Sequence, residues 1–414
     1  MKKITTLFLL VAGFPGILQA AAFQLLEQNA SGLGNAYAGQ AAAAENASTI
    51  FYNPAALTLL PGAQISGAAV AIRPSVKFSD AGGSIAPTGA ALPAGGGNGG
   101  DAGGWNYVPN LYFSKQLSPN LWAGIGLTVP YGLKTHYDSN FIGRFQAQKT
   151  EIKSYDLNPS IAYKLSDAVS LGGGISYQHL ELKLNRSAFI GTEAASTVAI
   201  SDSNWGWNAG ALLIPSPGTR IGLSYRSSMS HHLRGTIQLN GAPGFPTTGT
   251  AQVRLPATSS IALSQQLSSR WQMLSDFTYT TWSSIQDTQL VLASGIVADT
   301  FRFQFQDSWR VGVGANYAWS PDMTLKLGIA YEKSPAHDKN RMVELPDNNR
   351  IAIAIGGKIA LSKKTSVSMG YQHLFVSRGS INQQNGVGVL AQGSVIGTYH
   401  NSGDILAIQY TYAF

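Results

Sequence analysis

Bulky apolar residues alternate one for one with small or polar ones along most of this chain. From Arg310 to Trp319, Val311, Val313, Ala315, Tyr317 and Trp319 point one way, opposed by Arg310, Gly312, Gly314, Asn316 and Ala318. The pattern resumes with Leu325, Leu327, Ile329 and Tyr331, then Ile351, Ile353 and Ile355, then Val367, Met369 and Tyr371. A period of two is the signature of a strand with unlike faces. The alternation is broken by one recurring kind of turn, seen at Leu117 to Asn120, Leu165 to Ala168, Pro215 to Gly218, Leu267 to Arg270, Ser320 to Asp322 and Leu361 to Lys364. Ser118, Ser166, Pro217, Ser268, Ser320 and Ser362 are spaced by 48, 51, 51, 52 and 42 residues, about one long hairpin each.

Two environments produce such strands: a sandwich with its apolar face on a second sheet, or a membrane barrel with that face to lipid. Sandwich strands of about 5 to 6 residues would need twice as many turns in this length. Aromatics crowd strand ends, Tyr317 and Trp319 in one case and Tyr410, Tyr412 and Phe414 in another, as at a membrane interface. Charged residues make up only 12% of the chain, half the usual ~25%. Six turns join twelve strands, and one more on each side gives fourteen. The reading is an all-β, 14-stranded antiparallel transmembrane β-barrel over 63-414, with short turns in the periplasm. Its longer connections, Ser79 to Gly104, Ser187 to Ser203 and Gln238 to Thr250, then lie outside.

Met1-Lys2-Lys3, the apolar stretch Ile4 to Leu18 and the small residues Ala20 to Ala22 read as a secretory signal peptide over 1-20. Removing Lys2 and Lys3 lowers the formal charge from +7 to +5, too little and too scattered for a nucleic-acid partner. With no cysteine, the fold must rest on burial and closed hydrogen bonding. Residues 21-62 have no place in the wall. Asn35 to Asn46 has helical propensity, and Phe23, Leu25, Leu26, Leu33, Phe51 and Leu57 favour burial, so the segment is expected as a plug inside the barrel rather than a tail.

Several motifs then fall in order: Phe23-Gln24-Leu25, Ser31-Gly32-Leu33-Gly34-Asn35-Ala36-Tyr37, Asn53-Pro54-Ala55, Tyr131-Gly132-Leu133, Asn158 to Tyr163, and Pro346-Asp347-Asn348-Asn349-Arg350. With them the chain resembles the FadL family of outer-membrane transporters for long-chain fatty acids and other hydrophobic compounds, over nearly its whole length. The resemblance implies a bacterial outer-membrane protein, a plug within the barrel, and passage of ligand sideways through a gap in the wall. It also implies that Phe23 reaches the binding pocket and that Arg186 and Arg302 meet the ligand head group, with Arg144 and Lys149 as weaker candidates. Both arginines could equally face lipopolysaccharide phosphates. Pro130, Tyr131 and Gly132 interrupt the third strand, since proline donates no ladder hydrogen bond and glycine permits a bulge; the resemblance makes this the expected lateral gap, the alternative being an ordinary strand end with Pro130 at an unpaired position. Pro54 fixes a turn and Asn53 satisfies buried backbone groups beside Ala55. Leu406, Ile408, Tyr410, Tyr412 and Phe414 resemble the terminal signal read by the barrel assembly machinery.

Other constellations carry little chemistry. His231 and His232 are adjacent on a strand and point to opposite faces, so no metal is expected there. Gly-x-Ser-x-Gly is missing, which argues against a hydrolase. Gly172-Gly173-Gly174 reads as a strand interior packed closely against something, without a phosphate cradle's context. Neither enzyme chemistry nor a cofactor is expected. The expected function is uptake of a hydrophobic small molecule; the alternative is a structural or adhesive surface barrel whose plug stays shut.

Overall fold

The computed structural model describes residues 22–414; the signal peptide expected over 1-20 lies outside the described residues. Twenty ladder segments form one antiparallel sheet, and six pairs of them are halves of single wall strands, leaving fourteen. In chain order the wall is β1 Ala63–Asp80, β2 Asn106–Ser118, β3 Leu121–Thr128 with Gly132–His136, β4 Lys149–Lys164, β5 Val169–Phe189, β6 Glu193–Ser216 and β7 Thr219–Arg226 with Met229–Leu239. It continues with β8 Thr247–Leu255 with Thr258–Gln266, β9 Trp271–Thr280 with Asp287–Leu292, β10 Val297–Arg302 with Ser308–Ser320, β11 Met323–Glu332, β12 Arg350–Ala360, β13 Thr365–Val376 with Gly379–Gln384, and β14 Ser394–Ala413. β1 closes on β14 in register from Gln64↔Ala413 to Asp80↔Gly397, so no edge remains to carry unpaired backbone into lipid.

The alternation sets which side is which. Ile351, Ile353, Ile355 and Ile359 are exposed while Ala352 and Ala354 are buried, and Val311 and Val313 are exposed while Arg310 is buried. Lipid takes the apolar row; the lumen takes the small and polar one. Rings cluster at both ends of the wall, with Trp271 against Tyr317 (4.7 Å) near the short turns, and Tyr177 against Trp205 (4.8 Å) and Trp309 against Tyr331 (5.3 Å) toward the long loops. Tyr410 and Phe414 are exposed at the short-turn end, and Tyr412 packs edge-on to Phe414 at 5.1 Å.

All six recurring turns join neighbouring strands as the sequence suggests. The long connection expected over Ser187 to Ser203 is corrected: β5 and β6 run on as one hairpin, with only residues 190–192 between them. There Val198 and Ile200 are buried and continue the alternation inward.

Inside the wall, Ala22 to Leu60 is almost wholly buried. The helix expected over Asn35 to Asn46 reduces to a 3-10 turn at Leu33–Asn35 and a single α turn at Gln40–Ala43. Left-handed conformations at Ala36, Tyr37 and Ala44 break the rest. The wall takes the backbone groups a longer helix would use: Arg310 donates to the Ala36 carbonyl, and Asp276 accepts from the Gly39 amide at 3.3 Å. Asn35 donates to Ala315 and Leu327 carbonyls, both at 3.1 Å. Tertiary contacts thus override propensity.

Inward glycines make room for this segment. A Cβ on Gly172 would lie 2.4 Å from the Ala55 nitrogen, and one on Gly328 would lie 2.0 Å from the Asn35 carbonyl carbon. Backbone meets backbone at both points. Buried charge adds fixed attachments: Lys326 Nζ donates to both Glu45 carboxylate oxygens (2.6 and 2.7 Å) and to the Ser31 carbonyl (2.7 Å). Arg310 bridges Asp276 and Glu332 across β9, β10 and β11.

Candidate ligand chamber and wall opening

Above the inner segment, toward the long loops, lies an apolar chamber. Phe23, Leu133, Ile152, Leu180, Leu184, Val198, Ile200, Leu233, Leu290, Phe301, Phe303 and Leu345 line it together with Thr150, Thr288 and Glu344, and the surface turned to the cavity is apolar throughout. The cavity measures about 70 Å³, far below the ~300–1,000 Å³ of sites that hold drug-sized ligands. Entry of a ligand therefore requires a lining element to move.

Phe23 lies at one side of the chamber, beside the break in β3. Its ring lies 4.9 Å from Trp282 and 5.9 Å from Tyr131, and its backbone reaches the wall where β3 is interrupted. The Gly132 amide donates to the Phe23 carbonyl (2.7 Å) and the Leu25 amide to the Pro130 carbonyl (2.8 Å). Gln28 donates to the Val129 carbonyl (2.8 Å) and accepts from the Val129 amide (3.2 Å). Pro130 leaves that stretch of β3 without its full ladder to β4, and Ser154 spans the break: its hydroxyl accepts from the Tyr131 amide (2.8 Å) and donates to the Tyr131 carbonyl (2.9 Å). One buried segment thus contributes a side chain to the chamber and backbone hydrogen bonds to the interrupted wall.

The start of that segment is tied to a loop. Asp347 accepts from the Ala22 amide (2.9 Å), the Ser334 hydroxyl (2.6 Å) and Arg350 Nη2 (2.7 Å). Lower down, fully buried Asn53 caps the 3-10 turn Pro54–Leu59 by accepting from the Ala55 amide (3.0 Å), and it donates to the Ala41 (2.7 Å) and Ala211 (3.0 Å) carbonyls.

The basic residues singled out by the resemblance are not gathered at the chamber as free cations. Arg186, half-buried, is paired with Asp299, which also accepts from Gln392 at 3.2 Å. Arg144 forms a two-point pair with Glu193 (2.8 Å each), and Lys149 lies 3.5 Å from Glu151. Arg302 is corrected: Phe301 and Phe303 line the chamber, so Arg302 between them faces the other way and is exposed. Glu344 was missed by sequence reading, although an acid set within the apolar run Met342-Val343-Glu344-Leu345 was a signal that could have found it. Burial pushes its carboxyl up to about 7, with the charge of Asp299 adding to the rise. His231 is buried between Asp202 and Gln178, while His232 is exposed on the other face.

A family profile described as outer membrane protein transport protein (OMPP1/FadL/TodX) matches residues 10–414. The chain belongs to this family. It is a FadL/TodX-type barrel of the bacterial outer membrane, similar over most of its length to characterised members. The long-chain fatty acid transport protein of Escherichia coli K12 is 28% identical over 409 residues, covering 88% of this chain and 90% of that protein. Outer membrane protein P1 of Haemophilus influenzae is 28% identical over 423 residues, 90% of each. Among solved structures, a Pseudomonas aeruginosa FadL homologue superposes with a TM-score of 0.88 at 22% identity, over 95% of this chain and all of the other. The Pseudomonas putida toluene transporter TodX superposes at 0.68 and 16% identity, over 93% and 98%. Both share the FadL fold.

Proposed function

We propose that this barrel takes up long-chain fatty acids or related hydrophobic compounds. A ligand gathers in the apolar chamber, displaces Phe23 and leaves sideways through the wall at Val129 to Gly132, with residues 21-62 acting as the plug. The observation that carries this reading is the double role of Phe23, whose ring lines the chamber and whose carbonyl holds Gly132 of the interrupted strand. Displacing the ring costs the burial of one phenylalanine, about 1.5–3 kcal/mol. Releasing its three nearest backbone and glutamine bonds adds about 0.5–1.5 kcal/mol each. A buried methylene returns about 0.8 kcal/mol, so roughly four to nine are needed to offset the total of about 3–7.5 kcal/mol. Long acyl chains meet that threshold by population shift, while short ones do not.

The alternative, a surface barrel with a permanently shut plug, is favoured by the buried Lys326–Glu45 pair that fixes the inner segment. Uptake of labelled oleate and toluene by cells lacking other such transporters separates the two. Transport is expected with the native chain, altered with Phe23→Asp, and abolished with Pro130→Val plus Gly132→Val. No uptake by the native chain, assembled at normal levels, would leave the shut barrel standing.

A further inference from the structure

The seam between β8 and β9 is open on the side of the long loops. These strands pair from Gly249↔Leu292 to Ala251↔Leu290 and again from Thr258↔Thr280, but residues 252–257 face residues 281–289 without a ladder. On either side the sheet is closed, β8 to β7 as far as Leu255↔Met229 and β9 to β10 as far as Asp287↔Arg302. The Thr281 amide donates to the Ala257 carbonyl (3.0 Å) and the Ser284 hydroxyl to the Arg254 carbonyl (2.8 Å), which fastens the lower part of the seam. Its upper part is a groove of about 900 Å³, within the ~300–1,000 Å³ of sites that hold small molecules. The floor of the groove is the wall of the chamber, since Leu233, Ala251, Val253, Ile285 and Thr288 line both spaces. Phe23, Leu25 and Gln28 cover the break in β3 from inside, whereas no residue of the inner segment lines this groove.

The groove lies beyond the ring level set by Tyr279, Trp309 and Tyr331. Unpaired backbone in hydrocarbon costs several kcal/mol, so an open seam is tolerable only on this polar side. Exposed Arg234 and His232 on β7 and Arg254 on β8 share the outward face of the rim. Arg254 donates to the Ser228 hydroxyl at 3.2 Å, and neither arginine is ion-paired among the described residues. Asp287, on the facing side, accepts from Gln304 at 3.0 Å and lies opposite Arg302 in register, so the rim keeps a positive sign. We propose that this seam is the entry by which long-chain carboxylates reach the chamber. Arg234 and Arg254 draw the anionic head group to the groove, and the alkyl chain passes inward as Val253 and Thr288 part. A rim of one charge raises the on-rate of an oppositely charged ligand by about 10 to 10³-fold at low salt. This inference rests on the chamber being the transport site; it supplies the free cations that the chamber lacks and separates entry at β8–β9 from release at β3.

The test uses the purified full-length protein in neutral detergent and two fluorescent probes, parinaric acid and its methyl ester, with association followed by stopped flow. The chain has no cysteine, so one introduced at the exposed rim position Gln289 takes a maleimide-linked polyethylene glycol at that position alone. Lys183→Cys, exposed on β5, carries the same label as a control away from the seam. Labelled Gln289→Cys is expected to take up parinarate at least about tenfold more slowly than labelled Lys183→Cys, while unlabelled Gln289→Cys matches the native rate. Arg234→Gln with Arg254→Gln should lower the ratio of acid to ester association rates by about tenfold at low salt, an effect that fades near about 0.5 M. Equal rates in the two labelled proteins would overturn entry at the seam, and because parinarate then still binds, the chamber reading would stand. An unchanged acid-to-ester ratio in the double arginine variant would overturn the role of the rim. If the native chain binds neither probe, the chamber fails as a ligand site and the entry fails with it.

Discussion

Removing the carboxylate of Glu45 tests how firmly the inner segment is seated. Lys326 Nζ is almost completely buried and has three acceptors, two of them Glu45 oxygens at 2.6 and 2.7 Å. Glu45→Ala would leave an ammonium in the lumen with only the Ser31 carbonyl, and breaking a buried pair on one side costs about 3–5 kcal/mol. Because the fourteen-strand ladder does not depend on this contact, the cost falls on seating of the segment and not on the barrel. Hydrogen exchange of amides between Ser31 and Ala47 should then accelerate by roughly a hundredfold to several thousandfold. Adding Lys326→Met removes the stranded charge, so the double variant should recover most of the protection, the non-additivity expected of contacting residues. Unchanged exchange in Glu45→Ala would refute the reasoning, as would a double variant as perturbed as the two singles together.

Three further outcomes are expected. Asn53→Ala leaves the Ala41 and Ala211 carbonyls and the Ala55 amide without their side-chain partner, at about 1–3 kcal/mol per orphaned group; uptake should fall while gel mobility shows a heat-modifiable, assembled barrel. Gly172→Val places a side chain where a Cβ alone already comes 2.4 Å from the Ala55 nitrogen, so single-channel recordings should show a raised leak through a folded wall. Glu27 is buried beside Glu332, with Arg350 opposing, and its carboxyl is pushed from an ordinary 4.5 up to about 8. Since the folded-state value is raised, its stabilising effect is full below about 4.5 and is lost as pH rises through about 8. Exchange of the Ala22–Glu27 amides should therefore quicken over that window, and Glu27→Gln should flatten the response.

Much of the wall was legible because a lipid-facing strand has to alternate and a tight turn has to use a few residue types. The six turns and the start of β1 at Ala63 followed from those two rules. The break in β3 was legible through Pro130. The breaks in β7, β9, β10 and β13 were not, because Ser227-Ser228 or Thr281 to Gln286 carry no proline or glycine; they bend where the lumen demands it, as where Trp282 turns in to meet Phe23. Pro256 marks the break in β8 as Pro130 marks that in β3, and it was passed over. Burial of the N-terminal segment could be read from Phe23, Leu25 and Leu33, yet its path could not, because left-handed Ala36 and Ala44 answer to distant wall contacts. Arg302 shows the limit of matching by motif: one position separates the chamber face from the outer face, and only the register decides between them.

The central claim is that a ligand in the chamber loosens the wall through Phe23. Amide hydrogen exchange at Leu25 and Gly132, read residue by residue in purified protein with and without saturating oleate, tests it most directly, since these two amides make the bonds that join the inner segment to the break in β3. Bound oleate should accelerate exchange at both, while amides of the β5–β6 hairpin keep their protection. Equal or greater protection at Leu25 and Gly132, with oleate binding confirmed in the same sample, would contradict the account.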